Sequence, residues 1–109
     1  MVEQGVIHMT VALVHVCWTG VLNSATNAER CAEQVAAQLR AGFDVSLDLS
    51  QVERMTPSFA NTLIMRLLHE FPLSFLREHV QFHAPAAHVA EMLRRSVERF
   101  ESGVRLSDQ

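Results

Sequence analysis

The residue best placed for regulatory chemistry is Ser58, in the run Thr56-Pro57-Ser58 near the middle of the chain. Threonine followed by proline is typical of a helix start, with threonine as N-cap and proline at the first helical position. Ser58 then lies in the first turn, where free backbone N–H groups and the positive end of the helix dipole favour an anion. A phosphate there adds about −2 charge and can switch a partner's binding. Ser58 is therefore a candidate phosphorylation site, and the alternative is a solvated serine that only favours helix initiation.

Asp48 is the second candidate, because it lies toward the end of a predicted strand that precedes Thr56. Ligands of α/β folds usually bind beyond the carboxyl ends of the strands, so Asp48, Thr56 and Ser58 could together hold a small anion or nucleotide. The chain has no lysine and no glycine-rich loop, which counts against phosphate binding because backbone amides would have to hold the phosphate alone. Turn chemistry favours the alternative, a carboxylate that accepts hydrogen bonds from backbone amides after the strand.

The histidines and cysteines do not predict a metal centre. His15 and Cys17 share one side of a strand, but a structural zinc ion needs four ligands, and neither a CxxC nor a helical HxxxH pair is present. His79 and His83 would lie roughly 13 Å apart on a strand. The chain also has no nucleophile elbow and no dinucleotide fingerprint, so we expect neither an enzyme nor a cofactor. Cys17 and Cys31 are interpreted as small buried apolar groups in a reducing compartment.

Composition indicates one soluble domain over residues 1–109. The chain is 49% hydrophobic and 19% charged, and its formal net charge is −3, so it has no excess positive charge for nucleic acid. No lysine or arginine precedes Arg30, and no apolar run reaches the about 18 residues that a membrane span needs. We therefore expect a cytoplasmic protein that binds neither nucleic acid nor a membrane.

The first predicted elements are a strand over residues 6–18 and a helix that ends at Gly42. Both sides of the strand are largely apolar, which is typical of a central strand covered on two faces. Residues 6–18 could form one strand or two with a bend near Thr10, and the sequence leaves this open. Thr19-Gly20 is expected to end the strand. A helix is expected to begin around Ser24 to Thr26, where residues 26–29 (TNAE) fit a capping box.

The rest of the chain predicts the alternation of strands and helices that is typical of an α/β fold. In order, it predicts a strand at Val45–Leu49, a helix from Thr56 to Phe71, a short strand at His79–His83, a helix from Pro85 to Gly103 and an optional edge strand at Val104–Leu106. The expected architecture is a single small domain with a mixed, largely parallel sheet of roughly 4–5 strands, packed by about three helices.

The helix after Thr56 separates its residues into an apolar and a polar side at about 100° per residue. The apolar side carries Phe59, Ala60, Leu63, Ile64, Leu67, Leu68 and Phe71, and the polar side carries Ser58, Asn61, Thr62, Met65, Arg66 and His69. Met65 stands out as an apolar residue among polar ones. Methionine adapts well to a partner surface, although a single exposed apolar residue is also common without any function.

Two stretches resemble STAS domains, which are the domains of anti-sigma factor antagonists and of sulfate-transporter tails. Residues 16–22 (VCWTGVL), which a helix follows, resemble the family's strand and the turn that leads into its first helix. Residues 47–58 (LDLSQVERMTPS) resemble its "LDLS-x-V" strand, which runs into a loop and the start of the next helix. The resemblance implies a STAS-like fold and a non-catalytic regulatory domain that acts in partner switching. The implied partner is a protein of the histidine-kinase-like ATPase or anti-sigma kinase type. The implied contact residues are Thr56, Ser58, Asn61, Thr62, Met65 and His69.

The helix start departs from the antagonists, which carry Asp-Ser-Ser-Gly-Leu there, with one phosphorylated serine. This chain reads Thr56-Pro57-Ser58-Phe59-Ala60. Ser58 falls on the phosphorylated serine, whereas Thr56 replaces the aspartate and Phe59 replaces the glycine. The sequence TPSFA looks closer to a STAS-like branch without an assigned function. We expect Phe59 to turn inward as a core residue. A homodimer with only a structural role is a third interpretation that stays open.

Overall fold

The computed structural model describes residues 13–107, and the side chains of residues 13–101. Its elements are β1 (Leu13–Leu22), α1 (Ala25–Arg40), β2 (Asp44–Met55), α2 (Pro57–Glu70), α3 (Leu73–His79), β3 (Val80–His83) and α4 (Ala87–Ser107). The predicted α/β class is confirmed. The interpretation of residues 6–12 as a strand, and the choice between one strand and two, lie outside the described residues. Within residues 13–107, no helix is long and apolar enough to cross a membrane.

The described sheet has three parallel strands in the order β1-β2-β3. Val16 of β1 lies beside Leu47 of β2, which in turn lies beside Phe82 of β3. The larger, mixed sheet that the sequence predicts is not confirmed, since every strand pair in the described part of the chain is parallel. Within that part, β2 is the central strand and β1 lies at one end of the sheet, so the prediction of a central first strand is not confirmed.

Both β1 and β2 run further than the sequence predicts. Thr19-Gly20 does not end β1, because Gly20 takes a φ of 80°, which glycine tolerates, and the strand continues to Leu22. β2 keeps its pairing with β1 beyond Leu49 through two register shifts. At the end of this pairing, the Thr56 amide donates to the Leu22 carbonyl at 3.0 Å. β2 therefore passes directly into α2, and the predicted loop between them is not formed.

The predicted start of α1, around Ser24 to Thr26, and its predicted end at Gly42 are both confirmed, whereas the predicted capping box is wrong. Ser24 is the N-cap, and its hydroxyl accepts a hydrogen bond from the Asn27 amide at 3.2 Å. The capping box expected at residues 26–29 therefore lies inside the helix. At the other end, Gly42 takes a φ of 93°, and the amides of Gly42 and Phe43 donate back to carbonyls of the last turn. This pair of bonds is a Schellman motif, which favours glycine at this position.

Two helical segments differ from the prediction. α3 was not predicted, because seven residues are too few for a helical period to stand out, and His79 ends this helix rather than starting β3. α4 continues through Gly103 to Ser107, so the predicted stop and the optional strand Val104–Leu106 are wrong. One glycine inside a helix costs only about 1 kcal/mol, which a long amphipathic helix can absorb.

The core lies between the sheet and three helices that pack on one face of it. α2 occupies the middle of this layer, with α1 on one side and α4 on the other. Phe59 of α2 is fully buried, as predicted, and meets Trp18 of β1 edge to face with ring centroids 6.2 Å apart. On the opposite face of the sheet, Cys17 is exposed and Val21 is 42% exposed. The expected burial of Cys17 is therefore wrong, while Cys31 is half-buried.

Candidate functional site

The start of α2 has the predicted threonine cap, and the cap occupies most of the free amides. Thr56 is extended, its hydroxyl accepts from the Phe59 amide at 3.2 Å, and its carbonyl accepts from the Ala60 amide at 3.0 Å. Pro57 has no N–H to offer. Within the described residues, the amide of Ser58 is the one N–H of this turn that stays available. An anion held at this end would therefore find one backbone donor rather than a cradle of three or four.

The outer side of α2 forms a continuous exposed surface that we call the α2 stripe. It consists of Ser58, Thr62, Met65, Arg66 and His69. Thr62 is half-buried and the other four are exposed, with Met65 at 49%. Thr56, which the sequence includes in the contact surface, is half-buried at the start of the helix. The stripe thus brings together most of the residues that the sequence predicts as partner contacts.

Asn61 was predicted to belong to this exposed surface, but the structure places it elsewhere. The Ser96 hydroxyl of α4 donates to Asn61 Oδ1 at 2.6 Å, and Ser96 is only 2% exposed. Asn61 therefore satisfies a buried hydroxyl between α2 and α4. Its helical angle places it on the polar side, but the position of a neighbouring helix cannot be derived from that angle.

The other flank of α2 is fixed to α1 by one arginine. Arg40 Nε donates to Glu70 Oε2 at 2.5 Å, and its Nη2 donates to both oxygens of Glu33 at 3.0 Å. Hydrogen bonds from the guanidinium to Glu70 and then Glu33 raise the pKa of Arg40. Arg40 thus joins the last turn of α1 to the last turn of α2, although exposed ion pairs contribute little to stability. The α2 stripe is accordingly presented by a helix held on both flanks.

Asp48 is not part of the α2 surface. It lies in the middle of β2, eight residues before Thr56, which is roughly 26 Å along an extended strand at ~3.3 Å per residue. Its Oδ1 accepts a hydrogen bond from the Ser50 amide at 2.9 Å, where β2 shifts register against β1. Hydrogen bonds from Ser50 lower the pKa of the Asp48 carboxyl, and His83 and His15 lower it further. The predicted pocket of Asp48, Thr56 and Ser58 is not formed, because the strand does not end at Asp48.

Comparison with known families gives a match over most of the described fold. A family model described as a STAS-like domain of unknown function (DUF4325) matches residues 27–86. The chain belongs to this STAS-like family. The matched residues of the STAS-like domain run from the first turn of α1 past β3 and include the whole α2 stripe. No curated protein matches the chain. No solved structure matches it either.

The outer face of the sheet of this STAS-like domain brings together residues that the sequence did not connect. Cys17, Asp48 and His83 are direct neighbours across β1, β2 and β3, and His15 lies on the same side of β1. Sequence alone did not find this row because it depends on the register between strands. Among the residues that the structure describes, no three such side chains come close enough to hold a metal ion.

A groove on the α4 side of α2 was also missed. It has a volume of about 410 Å³ and lies between α2, α3, β3 and α4. Its aliphatic lining includes Leu67, Leu73, Leu76, Val80 and Leu93. Because four separate elements form it, including the unpredicted α3, no single sequence motif marks this groove.

Proposed function

We propose that this STAS-like domain is a non-catalytic protein-interaction domain that binds a partner through the α2 stripe. The observation that carries the proposal is Met65, which is 49% exposed on a helix that packs against α1, α4 and, through Phe59, Trp18 of β1. Methionine is polarizable and unbranched, so it can fill an irregular partner surface. The helix is already held in place, so binding would cost little ordering of the backbone.

The residues around Met65 suit a protein contact. The α2 stripe offers an arginine, a histidine and two hydroxyl groups, and it contains no carboxylate. Methionine and arginine are enriched in protein interfaces, whereas glutamate, aspartate and lysine are depleted. A partner could therefore bury Met65 in its centre and hydrogen-bond to the polar side chains around it.

We further propose that phosphorylation of Ser58 regulates this contact. Ser58 is exposed on the same side of α2 as Met65, about 10 Å away along the helix axis. That separation is comparable to the Debye length of about 10 Å at 0.1 M salt, so about −2 charge on Ser58 acts on anything bound at Met65. The resemblance to anti-sigma factor antagonists suggests a histidine-kinase-like ATPase or an anti-sigma kinase as the partner.

The contact is tested by comparing two exposed apolar residues on different surfaces. The partner is captured from the native host with the wild-type chain, purified, and titrated against Met65→Glu and Val21→Glu. Val21 is the matched control, since it is 42% exposed on the outer face of the sheet. We expect Met65→Glu to weaken binding at least tenfold, and Val21→Glu to bind like wild type. If Met65→Glu and Val21→Glu bind the partner with the same affinity, the contact surface lies elsewhere on the molecule.

The regulation is tested separately through Ser58. The intact mass of the chain purified from its host should include a phosphorylated form, with the phosphate on Ser58. Ser58→Asp should weaken partner binding and Ser58→Ala should preserve it. If both variants bind with the same affinity, the switch is excluded while the interaction surface stands.

A further inference from the structure

The groove between α2, α3, β3 and α4 is a second site with chemistry unlike that of the α2 stripe. Its walls and floor are aliphatic or aromatic, and its charged side chains stand at the mouth. Phe82 of β3 is 37% exposed there, so the site is open to solvent. A volume of about 410 Å³ falls within the range of about 300–1,000 Å³ that is typical of small-molecule pockets.

The charges at the mouth of the groove are all paired within the chain. Arg77 Nη2 lies 3.4 Å from Glu101 Oε2, which joins α3 to α4. Arg94 Nη1 lies 2.5 Å from Glu98 Oε2, and a second nitrogen of Arg94 lies 2.5 Å from Glu91. These contacts with Glu91 and Glu98 raise the pKa of Arg94. The two arginines and two glutamates that line the groove cancel in charge, so its mouth has no net charge that would favour a charged occupant over an uncharged one.

The volume of the groove and the ion pair between Arg77 and Glu101 both favour a small occupant. Both side chains line the groove and belong to opposite walls, α3 and α4. A partner helix, about 10 Å in diameter with its side chains, is much larger than a groove of about 410 Å³. A small molecule needs only the space beneath or beside the ion pair.

We propose that this groove binds an uncharged hydrophobic small molecule. Its apolar body would replace water against Leu67, Leu76, Val80 and Leu93, where burial of apolar surface is favourable. The paired arginines and glutamates would surround its exposed end without binding a charged group. The site lies on a different side of α2 from the stripe, so this inference does not rest on the proposed partner contact.

The test uses the uncharged fluorescent probe N-phenyl-1-naphthylamine and two matched substitutions. Ala90 is exposed on α4 and lines the groove, so Ala90→Trp should fill it without disturbing the core. Ala37 is an exposed alanine of α1 that does not line the groove, so Ala37→Trp is the control. We expect saturable 1:1 probe binding by wild type and Ala37→Trp, and an affinity at least tenfold lower for Ala90→Trp. Circular dichroism and thermal unfolding verify that both variants fold.

The charge argument is tested by competition between two molecules with the same chain length. 1-Octanol should displace the probe at a lower concentration than octanoate, because octanoate must give up part of the hydration of its carboxylate at a mouth without net positive charge. Preferential displacement by octanoate would overturn the assignment to an uncharged ligand. The site itself would be overturned if the wild type does not bind the probe saturably, or if Ala90→Trp binds the probe as tightly as the wild type. The site would also be overturned if the wild-type chain forms a dimer that Ala90→Trp, but not Ala37→Trp, converts to a monomer. The groove would then be an interface between copies of the chain.

Discussion

The α2 stripe and the groove border the same helix but present opposite chemistry. The stripe is convex and mostly polar, with Met65 as its exposed apolar residue. The groove is concave and apolar, and its charges are neutralised in pairs. Convex surfaces with an adaptable apolar centre suit protein partners, whereas concave apolar sites suit small molecules. One helix can therefore carry two independent binding functions because its two flanks are packed differently.

The largest expected effect comes from the core beneath both regions. Phe59 is fully buried against Trp18, so Phe59→Ala should lower the free energy of unfolding by about 3–5 kcal/mol. Urea denaturation measures this loss. A loss below about 1 kcal/mol would mean that Phe59, in the position where antagonists carry glycine, is not the packing residue that holds α2.

The contrast between the two flanks predicts opposite results at Leu67 and Met65. Leu67 is 2% exposed and lines the groove, so Leu67→Ala should cost about 2–5 kcal/mol of stability. Met65→Ala should change stability by less than about 0.5 kcal/mol while weakening partner binding. Thermal unfolding and titration of the captured partner measure the two effects. A strongly destabilised Met65→Ala would show that this residue serves the fold rather than a partner.

The cap of α2 should have an intermediate effect. Thr56→Ala removes the acceptor of the Phe59 amide and should cost about 0.5–2 kcal/mol. Thr56→Ser keeps the hydroxyl and should retain most of the stability, so it is the matched control in the same urea titration. If both variants lose the same amount, the hydroxyl is not the group that holds the start of the stripe.

The smallest effect concerns Asp48, which lies in neither region. Its pKa is lowered by the hydrogen bonds from Ser50, so the folded state favours the ionised carboxylate. This stabilisation is present above the unfolded pKa, near 3.8, and is lost as the pH falls through the lower folded pKa. Asp48→Asn should therefore be less stable than wild type at pH 7, with the difference shrinking as the pH falls below 3.8. A difference that is independent of pH would contradict the assigned hydrogen bond.

Local signals in the sequence were sufficient to predict α2. The Thr56-Pro57 start, the end before Pro72 and the buried apolar side all depend on residues within a few positions of one another. The exposure of Met65 follows from the same helical period. The assignment to an α/β fold likewise follows from the order of strands and helices, and the STAS-like resemblance agrees with the family match.

Features that depend on contacts between distant elements could not be predicted. Asn61 was expected at the surface, but the hydroxyl of Ser96 on α4 reaches it. Asp48 was expected at a strand end, but two register shifts carry β2 on to Met55. The groove requires α3, whose seven residues are too few for a clear helical period. In each case the deciding neighbour lies on another element, and no local pattern encodes its position.

The most direct test of the α2 stripe is site-specific photocrosslinking in the native host. A photoreactive amino acid replaces Arg66 in the stripe, Ala90 at the groove or Ala37 on α1, all of which are exposed. We predict that position 66 crosslinks to one partner protein, and that positions 90 and 37 do not. A crosslink to a partner from position 90 or 37, with none from position 66, would contradict the assignment of the stripe as the contact surface.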